Sequence, residues 1–388
     1  MKQEENILEP VFDAIKTGWR HRPPIKLGKY QLVKDHRIAA MILDTVDALE
    51  LTNKAGLKPV MVKDIATDYG ARIIFHLPAG ISRKEVENKL QYLEEQAQGQ
   101  IFLTNKGNVL TMDIYTAELP KIAAYRYQKT DLYLPLFLGV DYRNEVLIKD
   151  LAKFPHMLVA GQTGGGKSTF LHILIAGLLE KNMEKNNINI AIIDLKKLEF
   201  FYLNEHCLIV DDERDAARLL SYLNRELDRR LIILRDAKCR NITEYKGGDM
   251  PFIVLIIDEL AELDSKDGQE DLNRLARLSR AAGIHLVLAT QRPCSTLFKD
   301  FTKTRALLPA RVCFSVADDV NSRIVLGSDA ADKIPKNIPG RAVFKWEGEE
   351  IIQAMYMGVK ECEENLLKIP KLKGVMYYKQ CPKRLRAR

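Results

Sequence analysis

The run Gly161-Gln162-Thr163-Gly164-Gly165-Gly166-Lys167-Ser168 satisfies the spacing GxxxxGK[ST] at every fixed position. Its glycines permit a curled backbone that turns successive N–H groups towards phosphate oxygens. The apolar Met157–Ala160 before it reads as a strand, and Thr169–Leu179 after it as a helix whose positive end faces the same point. The order of residue types therefore predicts a nucleotide cradle made by Gly161, Gln162, Thr163, Gly164, Gly165, Gly166, Lys167, Ser168 and Thr169. In it Lys167 reaches the β- and γ-phosphates of ATP, and the Ser168 hydroxyl coordinates Mg²⁺. A glycine-rich turn without nucleotide lacks the Lys-Ser pair and the flanking strand and helix.

A second group of acids suits the first. The apolar run Phe252–Ile257 reads as a buried strand and ends in Asp258-Glu259. Asp258 is placed to hold Mg²⁺, directly or through water, and Glu259 to act as base or to position water for hydrolysis. Adjacent carboxylates can also begin a helix, but a nucleotide-binding α/β domain needs a metal-binding acid at a strand end. The pair favours an ATPase over a kinase. A third strand, Leu286–Ala289, runs into Thr290-Gln291-Arg292-Pro293. Gln291 either senses the γ-phosphate and orients water or stands in an ordinary turn begun by Arg-Pro; both readings stay open.

The elements that must position these groups follow from hydrophobic patterning. Apolar runs at Met157–Ala160, Ile190–Ile193, Ile253–Ile257, Leu286–Ala289 and Arg311–Val316 are spaced for crossover helices. Ala216–Leu234 and Leu272–Ala282 have helical period, and Gly340–Trp346 reads as a closing strand. The expected fold is α/β: a P-loop NTPase with a RecA-like, mostly parallel sheet and helices on both faces, preceded by a small α+β domain. Its expected parts are a helical segment over 1–60, the small α+β domain over 61–125, the motor over 131–360 and a basic tail over 365–388. In the small domain Ala71–Leu77 reads as a strand, Arg83–Gln96 as a helix opened by a Ser82/Glu85 capping box, and Ile101–Leu103 with Val109–Ile114 as a hairpin. Helical periods at Ile7–Trp19 and His36–Leu49 are separated by His21-Arg22-Pro23-Pro24.

Composition bounds the rest. The 388 residues carry 59 basic and 52 acidic side chains, a net charge of +7, with 46% hydrophobic residues. This excludes a disulfide scaffold, a collagen-like repeat and a disordered acidic chain. The six cysteines form no CxxC pair and read as reduced thiols. The start MKQEENILEP lacks a secretory pattern, and no apolar run reaches the ~18–20 residues of a bilayer span, so a cytoplasmic protein is expected. After Glu364 there is no acid but there are eight lysines and arginines, either a solvated end or a contact for a polyanion. The charged run Arg225–Arg240 reads first as a solvated helix face. His156, His172 and His285 form no metal triad with local carboxylates and read as core or capping residues.

Three stretches, in this order and spacing, resemble the motor domain of the FtsK/SpoIIIE family of DNA-pumping ATPases. They are His156–Ala160 entering the phosphate loop, Ile253–Leu263 with Asp258-Glu259-Leu260-Ala261, and Arg280–His285 entering Ala289-Thr290-Gln291-Arg292-Pro293. Asp194-Leu195-Lys196 resembles the family's strand-end Asp-Pro-Lys without its proline, and Pro309–Val312 and Val320–Arg323 resemble later segments. The resemblance covers about residues 131–345. It implies ATP-driven translocation of double-stranded DNA by a ring, usually a homo-hexamer, with nucleotide between neighbours. Glu259 and Gln291 would act in one subunit, and an arginine from the next would stabilise γ-phosphate charge; Arg280, Arg311 and Arg323 are the candidates. The family's membrane anchor and winged-helix module are not seen, which points to a soluble relative from a conjugative element or plasmid. That context implies relaxase or conjugation-machinery partners and recruitment to the membrane by a partner. The competing functions are a type VII-like protein-export ATPase and a non-translocating ATP-binding assembly protein.

Overall fold

A computed structural model describes residues 36–371 apart from 68, 117, 186, 292, 294–306, 367 and 370. The expected helix Ile7–Trp19 and the tail beyond Lys371 lie outside the described residues. The chain divides into two compact units, with the boundary between Glu118 and Leu119.

In the first unit the order is α1 (His36–Ala48), β1 (Val60–Thr67), β2 (Gly70–His76), α2 (Arg83–Glu87), α3 (Leu90–Ala97), β3 (Gln100–Lys106) and β4 (Val109–Tyr115). The strands form an antiparallel sheet in the order β1-β2-β4-β3. Strand alternation sends Ala71, Ile73 and Phe75 of β2 and Leu110, Met112 and Ile114 of β4 into a core shared with Ala39, Ile42 and Val46 of α1. Thus α1, which the sequence reading places in a separate segment over 1–60, shares the small module's core. The compact unit that contains it runs to Glu118. The single helix expected over Arg83–Gln96 is two helices: the backbone at Lys89 (φ −109°, ψ 4°) leaves helical geometry between them. The Ser82 N–H does donate to the Glu85 carboxylate at 2.5 Å, so the start was read correctly.

The second unit opens with β5 (Ala123–Ala124), β6 (Pro135–Val140) and β7 (Val146–Asp150), then β8 (His156–Ala160), α4 (Lys167–Lys185), β9 (Ile188–Ile193) and β10 (Leu208–Val210). It continues with α5 (Glu213–Asp236), β11 (Phe252–Ile257), α6 (Lys266–Leu278), β12 (Ile284–Thr290), β13 (Ala310–Phe314), α7 (Asp319–Val325), α8 (Ala330–Lys333), β14 (Arg341–Trp346), β15 (Gly348–Tyr356) and α9 (Val359–Leu366). One sheet runs β10-β9-β11-β12-β8-β13-β14-β15-β6-β7, with β5 beside β15. From β10 to β13 every pairing is parallel. Beyond β13 the pairings to β14, β15, β6 and β7 are antiparallel.

The continuous apolar runs reflect burial on both faces of the parallel strands. Leu158 and Ala160 of β8 and Ile253, Leu255 and Ile257 of β11 pack with Leu219, Leu223 and Leu227 of α5 and Leu272 and Leu275 of α6. Met157, Val159, Val254 and Ile256 face the other way, onto Phe170, Leu174 and Leu178 of α4. The helix expected over Leu272–Ala282 begins earlier and ends at Leu278. Ser265 caps its start by accepting from the Gly268 N–H at 3.2 Å. After it, Gly283 at φ 72° turns the chain, and the Ile284 N–H returns to Ser279 O at 3.1 Å. The described cysteines 207, 239, 313 and 362 are free thiols. Among the described residues, no helix is long and apolar enough to cross a membrane.

Candidate functional site

All the candidate groups on strand ends lie at the C-terminal edge of the parallel strands, where an open α/β sheet leaves a crevice for ligands. The strand order explains which groups meet. β12 lies between β11, which carries Asp258-Glu259, and β8, which enters the phosphate loop. Residues at the end of β12 therefore touch both.

The loop is tied into the sheet on both sides. The Gly161 N–H donates to Thr290 O at 3.3 Å, the Gln162 N–H to Ser315 O at 3.1 Å, and the Gly340 N–H to Gly165 O at 2.9 Å. Two glycines are sterically required. A Cβ on Gly161 would sit 2.6 Å from the Phe314 Cβ; one on Gly166, whose φ is 110°, would sit 2.9 Å from the Gly340 nitrogen. α4 begins at Lys167 and its first closed turn runs from the Phe170 N–H to Gly166 O at 2.9 Å. Thr163 and Gly164 are exposed at the loop's tip, while Ser168 and Thr169 are half-buried in the first turn of α4.

Lys167 is buried and clasps Asp258: its ammonium donates to the Asp258 carboxylate at 2.5 Å and to the Asp258 carbonyl at 3.0 Å. The other carboxylate oxygen of Asp258, Oδ2, is buried without a hydrogen-bond partner. A buried anionic oxygen of this kind is a donor atom for a hard cation. Glu259 is 5% exposed and fully engaged. It accepts from the Thr290 hydroxyl at 2.7 Å, the Gln291 N–H at 3.0 Å and the Lys196 ammonium at 3.1 Å. The Thr163 hydroxyl donates to the Gln291 side-chain oxygen at 3.1 Å, closing a chain from loop tip through Gln291 to Glu259. The structure thus joins Lys167, Asp258, Glu259, Gln291 and Thr163 in one cluster. Next to it, Glu199 lies 3.8 Å from His172 on α4. His172, and then Lys167 and Ser168, hold the Glu199 carboxyl below the usual carboxylate range.

The three arginines are elsewhere. Arg280 lies in the turn before β12, at the opposite edge of the parallel strands, and donates to Lys153 O at 2.7 Å. Arg311 donates to Leu308 O and Val325 O, each at 3.0 Å, which ties β13 to the end of α7. Arg323 is exposed on α7 between Asp319 at 3.4 Å and Asp329 at 3.6 Å. The charged face of α5 is largely neutralised locally, with Arg229 and Arg230 on Glu226 and Arg235 beside Asp236. His156 and His285 sit at the same far edge as Arg280. His156 accepts from the Leu286 N–H at 3.0 Å and its other nitrogen lies 3.0 Å from Ala276 O, so its role is packing and capping.

Sequence reasoning did not single out Lys196 or Thr290 as partners of Glu259, nor Ser315 and Gly340 as anchors of the loop. Lys196 and Thr290 stand in strand-end segments that carry the family resemblance. For Ser315 and Gly340, far along the chain, only the pairing of β13 with β8 and of β14 with β13 reveals the contacts.

Residues 120–250 and 248–295 match the FtsK/SpoIIIE family. A DNA translocase FtsK of Chlorobaculum tepidum is 31% identical over 352 residues, covering 81% of this chain and 43% of that protein. Another, from Campylobacter jejuni subsp. jejuni serotype O:23/36, is 36% identical over 235 residues, 57% of this chain and 24% of that protein. The chain thus spans less than half the length of these curated relatives. Among solved structures, the pCW3 conjugation coupling protein TcpA, in a monomer form with ATPγS, has the same fold: TM-score 0.59 at 24% identity, covering 86% of this chain and 99% of that one. ATPases 2 and 3 of EssC from Geobacillus thermodenitrificans share it at TM-score 0.56 and 17% identity, covering 66% and 54%.

Proposed function

We propose, from the match of residues 120–250 and 248–295 to the FtsK/SpoIIIE family, that this chain is an ATP-driven motor that moves double-stranded DNA. The observation that carries the reading is the pairing of Lys167, at the start of α4, with Asp258, which follows β11 beside Glu259, next to a tied phosphate loop. The curated relatives are DNA translocases by name, which supports DNA as the moving substrate.

ATP would lie over the loop, its phosphates met by backbone N–H groups of the loop beyond Gln162, up to Thr169, and by the start of α4. Lys167 would exchange Asp258 for the β- and γ-phosphates. Ser168 and Asp258 would hold Mg²⁺, for which the partnerless Oδ2 of Asp258 is a fitting donor. When bound, the ion supplies charge neutralisation at the phosphate oxygens. Glu259 would orient and accept a proton from the attacking water, and Gln291, tied to the loop through Thr163, would sense the γ-phosphate. ATP and water give ADP and phosphate; the DNA is moved, not cut.

Arg280, Arg311 and Arg323 all lie away from their own chain's cluster. An arginine at the γ-phosphate would come from a neighbouring copy in a ring, taken here as a homo-hexamer, with these three as the candidates. A role in conjugative or plasmid transfer, with relaxase or conjugation-machinery partners that bring the motor to the membrane, is the context proposed. The test is phosphate release with and without long duplex DNA. Binding dominated by backbone phosphates should weaken steeply with salt and depend little on sequence.

A further inference from the structure

Two lysines stand against the two acids of the site. Lys167 is held on Asp258, and Lys196 is held on Glu259 at 3.1 Å. The second cation comes from outside the phosphate loop, on the turn after β9. That turn is a built feature. Asp194, 1% exposed, accepts from the backbone N–H groups of Lys197, Glu199 and Phe200 at 3.0, 3.1 and 3.2 Å. Lys197 is held in the left-handed region at φ 67°, a conformation that non-glycine residues adopt at a cost. Phe200 is fully buried. The turn therefore aims Lys196 at one point while Glu199 meets His172 at another.

Glu259 has three donors, and they differ in freedom. Thr290 and the Gln291 N–H are fixed by the end of β12. Lys196 has a flexible four-carbon stem, and its side chain is 34% exposed while that of Glu259 is 5% exposed. An ammonium is a mobile point charge that a phosphate group attracts strongly. Of the three donors it is the one an incoming polyanion can draw away. With all three in place both oxygens of Glu259 are engaged, and withdrawal of the Lys196 ammonium frees acceptor capacity for a water.

We infer that Lys196 is a positioning residue that answers to the γ-phosphate: it holds Glu259 in the arrangement seen here, passes to the terminal phosphate when ATP binds, and so frees Glu259 for water. The inference rests on the ATPase reading above and adds a second phosphate-facing cation to it. ADP lacks the terminal group, so Lys196 stays on Glu259 when ADP is bound.

The experiment compares the affinities of the full chain for ATPγS and ADP, each with Mg²⁺, in wild type, Lys196→Met and Lys196→Arg. Lys196→Met is expected to weaken ATPγS binding roughly tenfold or more while changing ADP binding by less than about twofold. Lys196→Arg should keep most of the discrimination, since it keeps the charge. An equal loss for both nucleotides, or no loss for either, overturns the role of Lys196. Unfolding curves of the variants serve as the control for folding. Wild type that binds ATPγS while the ratio in Lys196→Met is unchanged defeats this inference alone. Wild type that binds neither nucleotide defeats the ATPase reading together with it.

Discussion

At the scale of single residues, the two acids after β11 have separate tasks that substitution can divide. Asp258 is paired inside the site with Lys167 and keeps one oxygen without a partner. Removing one member of a buried pair leaves the other uncompensated, typically a cost of about 3–5 kcal/mol. Lys167→Ala should therefore weaken ATP binding by about a hundredfold or more, and destabilise the fold by an amount in the lower part of that range, since the site borders solvent. Titration with a nucleotide analogue and urea unfolding would check the two effects. Glu259→Gln keeps the shape but replaces one acceptor oxygen with a donor and loses the carboxylate. Its ATP affinity should stay within about threefold of wild type while turnover falls roughly 10²–10⁴-fold, the usual worth of a general base. Near-normal turnover in this variant would remove Glu259 from the chemistry.

At the scale of elements, the parallel strands hold their reactive ends at one edge and their histidines at the other. At Gly166 the loop lies close against Gly340. Gly166→Ala puts a Cβ 2.9 Å from the Gly340 nitrogen at a φ of 110°. The Gly340–Gly165 bond should break and nucleotide affinity fall at least tenfold, whereas Gly348→Ala, where an added Cβ meets nothing within 4 Å, should be neutral. At the far edge burial pushes His156 down to about 3 and His285 to about 4, from an ordinary value of 6.5. Both are neutral in the fold, while the unfolded chain takes up protons near 6.5. The stability they allow is complete above about pH 6.5 and is lost as pH falls towards 4. Tm should drop over that interval, and less steeply in His285→Phe. A flat Tm from pH 7 to pH 4.5 would contradict this. The sequence displayed these strands because burial on both faces demands unbroken apolar runs such as Phe252–Ile257. It hid the helix break at Lys89 and the early stop at Leu278, because both are decided by local backbone geometry that leaves the hydrophobic period intact. It showed the phosphate loop and its acids as contiguous motifs. The Lys196–Glu259 pair and the Gly340 anchor join residues 63 and 175 positions apart and could be seen only once the strand order was known.

At the scale of the whole molecule, the account requires a neighbour. None of Arg280, Arg311 and Arg323 meets the cluster of its own chain. Arg311 donates to two backbone carbonyls, while Arg323 is exposed and makes long carboxylate contacts to Asp319 and Asp329. Mixing a Lys167→Ala chain with a chain altered at the arginine that acts in trans should restore part of the ATPase activity that each lacks alone. Full activity in a strictly monomeric preparation, with all three arginine substitutions neutral, would remove the shared site. The central claim is that ATP hydrolysis at this site drives movement on double-stranded DNA, and it is tested most directly by the rate of phosphate release with and without long duplex DNA, with Glu259→Gln as control. The account predicts that duplex DNA raises the wild-type rate several-fold, that the effect fades with salt, and that Glu259→Gln stays inactive under both conditions. A wild-type rate unchanged by duplex DNA of any length, with no DNA binding at low salt, would contradict it and turn attention to a protein substrate.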